Sequence, residues 1–131
     1  MSRDWRYSTG VCERMRSFPG AGRLDGTGTV LRARAGDPER GGCVEFDCRI
    51  DGHRIADARF RAFGCPHLVA AASWLSEWLC GADREALMAW NWQEVAEALD
   101  VPPAKYGRLL LLQDALHEVA GNWPDPAQST V

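Results

Sequence analysis

Residues 58–73 read ARFRAFGCPHLVAAAS, a strand pattern that runs into Gly64 and gives way after Cys65 and Pro66 to an alanine-rich helix. Pro66 suits the first turn of a helix, where its missing N–H forfeits no bond. Cys65 therefore stands at the helix N-terminus, where free backbone N–H groups and the macrodipole favour a thiolate. The thiolate is the nucleophilic and metal-binding form of cysteine, so this turn is the first candidate for chemistry.

Upstream, Arg54–Phe63 is the return strand of a hairpin, entered through Asp51-Gly52, a preferred two-residue turn. Cys43–Ile50 alternates, with Val44, Phe46, Cys48 and Ile50 on one face and Cys43, Glu45, Asp47 and Arg49 on the other. Thr29–Ala35 is also β-like, and the turn residues of 36–42 mark a loop. These segments make an antiparallel meander. Residues 1–26 are read as an N-terminal arm. Tyr7–Met15 suits a short helix, Phe18-Pro19-Gly20 breaks it, and Gly22–Gly28 reads as flexible.

Downstream, Leu68, Ala72, Leu75 and Leu79 form a core stripe, Trp74 and Trp78 form a second, and Gly81 ends the helix. Asp83–Ala89 is a short helix, and Asn91 caps the next, with Glu94 three residues on. Val101-Pro102-Pro103 breaks that helix. Pro103 opens a long one that runs to about Ala120 and stops at Gly121. Residues 121–131, with two prolines, are read as a flexible tail. The expected fold is one α+β domain over 1–131, a three-stranded antiparallel sheet packed against a cluster of C-terminal helices.

A chain of 131 residues, 46% hydrophobic and 25% charged, has the makeup of a soluble globular domain with its own core. Its net charge of −3 supplies no basic field to recruit nucleic acid or an acidic membrane. No apolar run approaches the roughly 18 residues that span a bilayer. The start MSRDWRYS lacks the apolar segment of a signal peptide. Five cysteines, an odd number, then point to free thiols in a reducing cytoplasm. No Ser-His-Asp set, phosphate loop or acid–base carboxylate pair stands out, so a turnover enzyme is not expected.

Four segments together carry a resemblance. They are AGDPERGG at 35–42, IDGHRIADARF at 50–60, FGCPHLVAAASWLSEWLCG at 63–81 and VPPAKYGRLLLLQDAL at 101–116. In order and spacing the chain resembles the iron–sulfur cluster scaffold family of the NifU N-terminal or IscU type. The resemblance implies the same α+β fold and a role in iron–sulfur cluster assembly, with iron or a cluster as what is bound. It implies a cysteine desulfurase and other assembly proteins as partners, and a monomer or homodimer. It also implies that Val101, Pro102, Pro103, Ala104 and Lys105 form a partner-binding segment, because a dedicated chaperone binds the family's Leu-Pro-Pro-Val-Lys stretch in some members.

Family scaffolds use three cysteines: in the loop before the second strand, at the strand-to-helix turn, and just inside the last helix. Carried over position by position, these fall on Arg40, Cys65 and Arg108. The family's aspartate falls on Gly42, and the histidine before its third cysteine falls on Gly107. Cys65 alone matches. Cys43 and His67 are the further residues on which a metal at Cys65 would draw. A tetrahedral zinc needs four N, S or O ligands, or three plus water, so zinc is not expected. Cys48 faces away from Cys43, and Cys80 lies about 22 Å along the helix from Cys65 at 1.5 Å per residue. Cys12, Cys48 and Cys80 read as small apolar residues.

Arg40 and Arg108 are expected to flank Cys65, with His67 as a third modulator of the pocket. Two guanidinium groups disfavour cationic iron and favour an anionic thiolate or persulfide. The SufE-type sulfur acceptors resemble this architecture and use one cysteine after a glycine. Three functions stay open on these residues. One is a scaffold-like assembly protein that binds iron or a cluster weakly, or with a partner, through Cys65. The second is a single-cysteine persulfide acceptor or activator of a cysteine desulfurase. The third is a non-catalytic adaptor that regulates cluster assembly.

Overall fold

The computed structural model describes residues 7–124. Strand β3 (Arg54–Phe63) ends at Gly64, whose φ of 150° turns the chain, and Pro66 then opens helix α2 (Pro66–Leu79) with Cys65 as its N-cap residue. Strands β1 (Thr29–Asp37), β2 (Gly42–Asp51) and β3 form an antiparallel sheet in the order β1-β2-β3. Val44 on the central strand pairs with Ala35 on one side and Ala62 on the other. Helices α1 (Thr9–Ser17), α3 (Arg84–Ala89), α4 (Gln93–Ala98) and α5 (Tyr106–Asn122) complete the α+β fold, with single 3₁₀ turns at Pro38–Arg40 and Pro103–Lys105.

The core lies between one face of the sheet and two helices: α2 packs on β3, and α5 packs on β1 and β2. The stripe expected on α2 is all interior, with Leu68, Ala72, Leu75 and Leu79 fully buried. Leu109, Leu112 and Leu116 of α5 recur at helical spacing and are equally buried, above Val44, Phe46 and Cys48 of β2. Each such leucine or phenylalanine contributes about 1.5–3 kcal/mol over an exposed one. No helix among the described residues is long and apolar enough to cross a membrane.

The structure differs from the sequence expectation in several places, the cap of α4 among them, which is Trp92 and not Asn91. The hairpin turn is Gly52-His53, because Asp51 still pairs with Arg54. Gly52 at φ 63° takes the first central position, which suits a primed hairpin turn. Helix α5 passes through Gly121 to Asn122, where Trp123 packs against the core. That contact outweighs the helix penalty of about 1 kcal/mol for glycine. The arm is not loose over 20–28: the Phe60 N–H donates to Gly20 O, the Gly22 N–H donates to Phe60 O, and Leu24 is buried. This strap lines the free edge of β3. Val101, read as part of a partner-binding segment, is buried in the core. Residues 1–6 of the arm and 125–131 of the tail lie outside the described residues.

Candidate functional site

The loop before β2, the Gly64–Cys65 turn and the first turn of α5 converge. Glycines make this possible. A Cβ on Gly64 would come 2.9 Å from Leu68 Cδ2 and 3.1 Å from Gly41 O, so β3 can turn here only without a side chain. A Cβ on Gly42 would meet Arg108 Nη1 at 3.0 Å and Leu68 Cδ2 at 3.2 Å. The Arg108 guanidinium lies against Gly41 and Gly42, and its Nη1 donates to Arg40 O at 3.2 Å. The three segments that carry Arg40, Cys65 and Arg108 thus lie side by side. Among the described residues, neither Arg40 nor Arg108 forms an ion pair, whereas Arg14, Arg32, Arg34, Arg49, Arg59 and Arg61 all do. Arg40 is exposed and Arg108 half-buried.

Cys65 is half-buried and packs against the core. Its backbone is extended, and its side chain makes no capping hydrogen bond. Pro66 has no N–H, and the Leu68 and Val69 N–H groups donate to Cys65 O at 3.0 and 3.1 Å. The His67 N–H is left without a backbone acceptor. A sulfur on Cys65 therefore sits at a helix start, and the adjoining segments carry Arg40 and Arg108, the latter laid against Gly41 and Gly42.

His67 is buried, its ring tilted against Tyr7 with centroids 5.0 Å apart, and its Nδ1 has no hydrogen-bond partner. Burial, and after it the Lys105 ammonium, pushes its pKa below the ordinary imidazole value. Cys43 is buried on the face of β2 opposite Val44, beside Phe63. Its strand begins early, at Gly42, and alternation then turns its side chain to the face away from the helices. Among the described residues, no group of three or more His, Cys, Asp or Glu side chains is placed to hold a metal. Cys65, Cys43 and His67 are not brought together as a ligand set.

In the segment 101–105, Pro102, Pro103 and Ala104 are exposed and Lys105 is half-buried, while Val101 anchors the stretch from below. Cys48 is a core residue whose thiol is pushed up to about 12, chiefly by burial and then by Asp47. Cys80, expected as a small apolar filler, is exposed at the end of α2. Two features of the site carry little or no sequence signal. One is Tyr7 against His67, which no spacing signals across 60 residues. The other is the Gly41-Gly42 seat for Arg108, for which the glycine doublet before a strand was the available sign.

A family model described as the NifU-like N terminal domain matches residues 6–129. The chain is 31% identical over 117 residues to the iron–sulfur cluster assembly scaffold protein IscU of Haemophilus influenzae, covering 84% of this chain and 89% of that protein. It is 32% identical over 101 residues to iron–sulfur cluster assembly protein 3 of Arabidopsis thaliana, covering 76% of this chain but 56% of that protein's length. Among solved structures, it superposes on a candidate SUF-system scaffold from Fervidobacterium islandicum with a TM-score of 0.67 at 17% identity, covering 87% of this chain and 96% of that one.

Proposed function

Because the chain belongs to the NifU-like N-terminal domain family, we propose that it serves iron–sulfur cluster assembly as a sulfur acceptor, taking a persulfide onto Cys65. One observation carries the reading: the segments that converge at the site supply one thiol and two guanidinium groups without carboxylate partners among the described residues. A cluster needs several thiolates, and the converging segments supply one, Cys65. An anion is what the site suits.

The transfer balances without an added oxidant. The Cys65 thiolate attacks the outer sulfur of a persulfide on a cysteine desulfurase, a new S–S bond forms on Cys65, and the donor cysteine leaves as a thiolate. The helix start and the guanidiniums of Arg40 and Arg108 stabilise the negative sulfur before and after transfer. Pro102, Pro103, Ala104 and Lys105 are the surface for assembly partners, and the cytoplasm is where those partners and reduced thiols meet.

The test is to incubate reduced protein with a cysteine desulfurase, cysteine and ferrous iron, then record the intact mass and visible spectrum. A gain of about 32 Da that is absent in Cys65→Ser supports the acceptor. A visible charge-transfer band without that adduct would instead assign a cluster held with partner ligands. Neither signal would leave a regulatory adaptor.

A further inference from the structure

A sulfur acceptor with no bound ion must hold its converging segments in place by other means. We infer that Arg108 is a positioning residue for Cys65: it staples the 38–42 loop to α5 in the way a bound metal would, and so fixes the loop against which the Gly64–Cys65 turn rests. This deepens the sulfur-acceptor reading and rests on it for its chemical consequence.

The geometry is a relay of close approaches. Arg108 Nη1 donates to Arg40 O at 3.2 Å, while Nη2 and Nη1 lie 3.1 and 3.0 Å from where Cβ atoms of Gly41 and Gly42 would be. The planar guanidinium thus covers two consecutive glycines at once. Gly41 O in turn lies 3.1 Å from the Cβ position of Gly64, the residue before Cys65. Leu68, in the first turn of α2, fills the space under both Gly42 and Gly64, and Leu111 of α5 lies against Gly42 on the same side. A push at Arg108 therefore reaches the Cys65 turn through backbone, without a flexible side chain between. Lysine cannot replace it. An ammonium is a point charge on a flexible stem, with no plane to lay across two peptide units.

The Gly41 N–H, bonded to Pro38 O at 3.0 Å, reports loop opening by hydrogen exchange. Arg108→Ala is expected to speed that exchange about fivefold and to slow both alkylation of Cys65 by iodoacetamide and persulfide uptake. Arg108→Lys, which keeps the charge, should show the same Gly41 exchange as Arg108→Ala. Gly42→Ala crowds the guanidinium and also Leu68 Cδ2, and should show a smaller defect that shrinks, without vanishing, in the Arg108→Ala background, the non-additivity expected of touching groups. A chelator should leave Gly41 exchange unchanged in the unmodified protein. Restored protection in Arg108→Lys, or additive effects of the two substitutions, would overturn the staple. If the exchange and alkylation results hold but the unmodified protein never gains a sulfur, the acceptor reading fails and the staple stands.

Discussion

Asp47 is the residue whose removal should damage this fold most for the smallest change in volume. Its side chain is fully buried on the outer face of β2. It accepts the Leu24 N–H at 3.0 Å, two bonds from Arg61 at 2.9 and 3.2 Å, and lies 3.4 Å from Arg32 Nε. Asp47→Ala leaves the buried Leu24 N–H without an acceptor, which costs about 1–3 kcal/mol. Arg61 keeps Glu45 and Gly22 O, so the loss there sits at the low end for a broken buried pair. The sum is about 4–6 kcal/mol, or roughly 15–20 °C in Tm for a domain of this size. Burial alone raises the Asp47 pKa, but the Arg61 bonds, the Leu24 N–H and the charges of Arg61 and Arg32 outweigh it and hold it below the usual carboxylate range. A depressed carboxylate contributes its stability above its unfolded pKa of about 3.9 and loses it as pH falls through the folded value. Urea titrations should therefore show the full gap between unmodified protein and Asp47→Ala at pH 7 and pH 5, and a shrinking gap below about pH 4. A difference under about 1 kcal/mol at pH 7, or one that persists unchanged at pH 3, would refute the latch.

Gly64→Ala should cost about 2–3 kcal/mol, since φ is 150° and the new Cβ meets Leu68 Cδ2 at 2.9 Å; a thermal melt within 2 °C of the parent (about 0.5 kcal/mol) would count against that crowding. In native protein at pH 8, mass mapping after iodoacetamide should find Cys80 modified and Cys48 untouched, because Cys48 is buried with its thiol pushed up to about 12. Labelling of Cys48 without unfolding would contradict its place in the core. The segment 101–105 should split in two: Val101→Ala costs about 1–2 kcal/mol, while Pro103→Ala and Lys105→Ala stay within about 0.5 kcal/mol and act on partner binding, measured by calorimetric titration. Equal effects of all three on stability would undo that division.

The sheet, the α2 stripe and the Gly64–Cys65–Pro66 turn were legible because each is written in local pattern: alternation, helical spacing, and a proline where a helix must start. Contacts across the chain were not. The alternation of β2 put Asp47 with Glu45 and Arg49 on a polar face, and nothing local says that Leu24 folds over it. Val101 was placed in the partner-binding segment because the family's Leu-Pro-Pro-Val-Lys stretch falls on 101–105, yet one apolar side chain before two prolines is enough to pin that segment to the core. Gly121 failed as a helix stop because a signal worth about 1 kcal/mol was set against the burial of Trp123, which outweighs it and comes into being only once the helices are packed. At the site, position-by-position transfer pointed to three segments that the fold does bring side by side. It did not find that Gly41 and Gly42 matter for what they lack.

The missing side chains at Gly41 and Gly42 decide what the site can carry. A loop, a turn and a helix start that converge on a metal are held by the metal, and binding and ordering are then one event. Here the same segments converge on three glycines, Leu68 and the Arg108 guanidinium. Returning an aspartate to position 42 would put its Cβ 3.0 Å from Arg108 Nη1, and a cysteine at position 108 would remove the group that covers the loop. Neither position can take such a ligand alone without disturbing the seat of the other, so a change toward metal binding has to alter both positions together. Gly42→Asp with Arg108→Cys should therefore bind ferrous iron or zinc more tightly than either single variant by more than the product of their separate gains. Affinities that simply multiply would show that the two positions are independent and that Arg108 does not occupy the room a ligand needs.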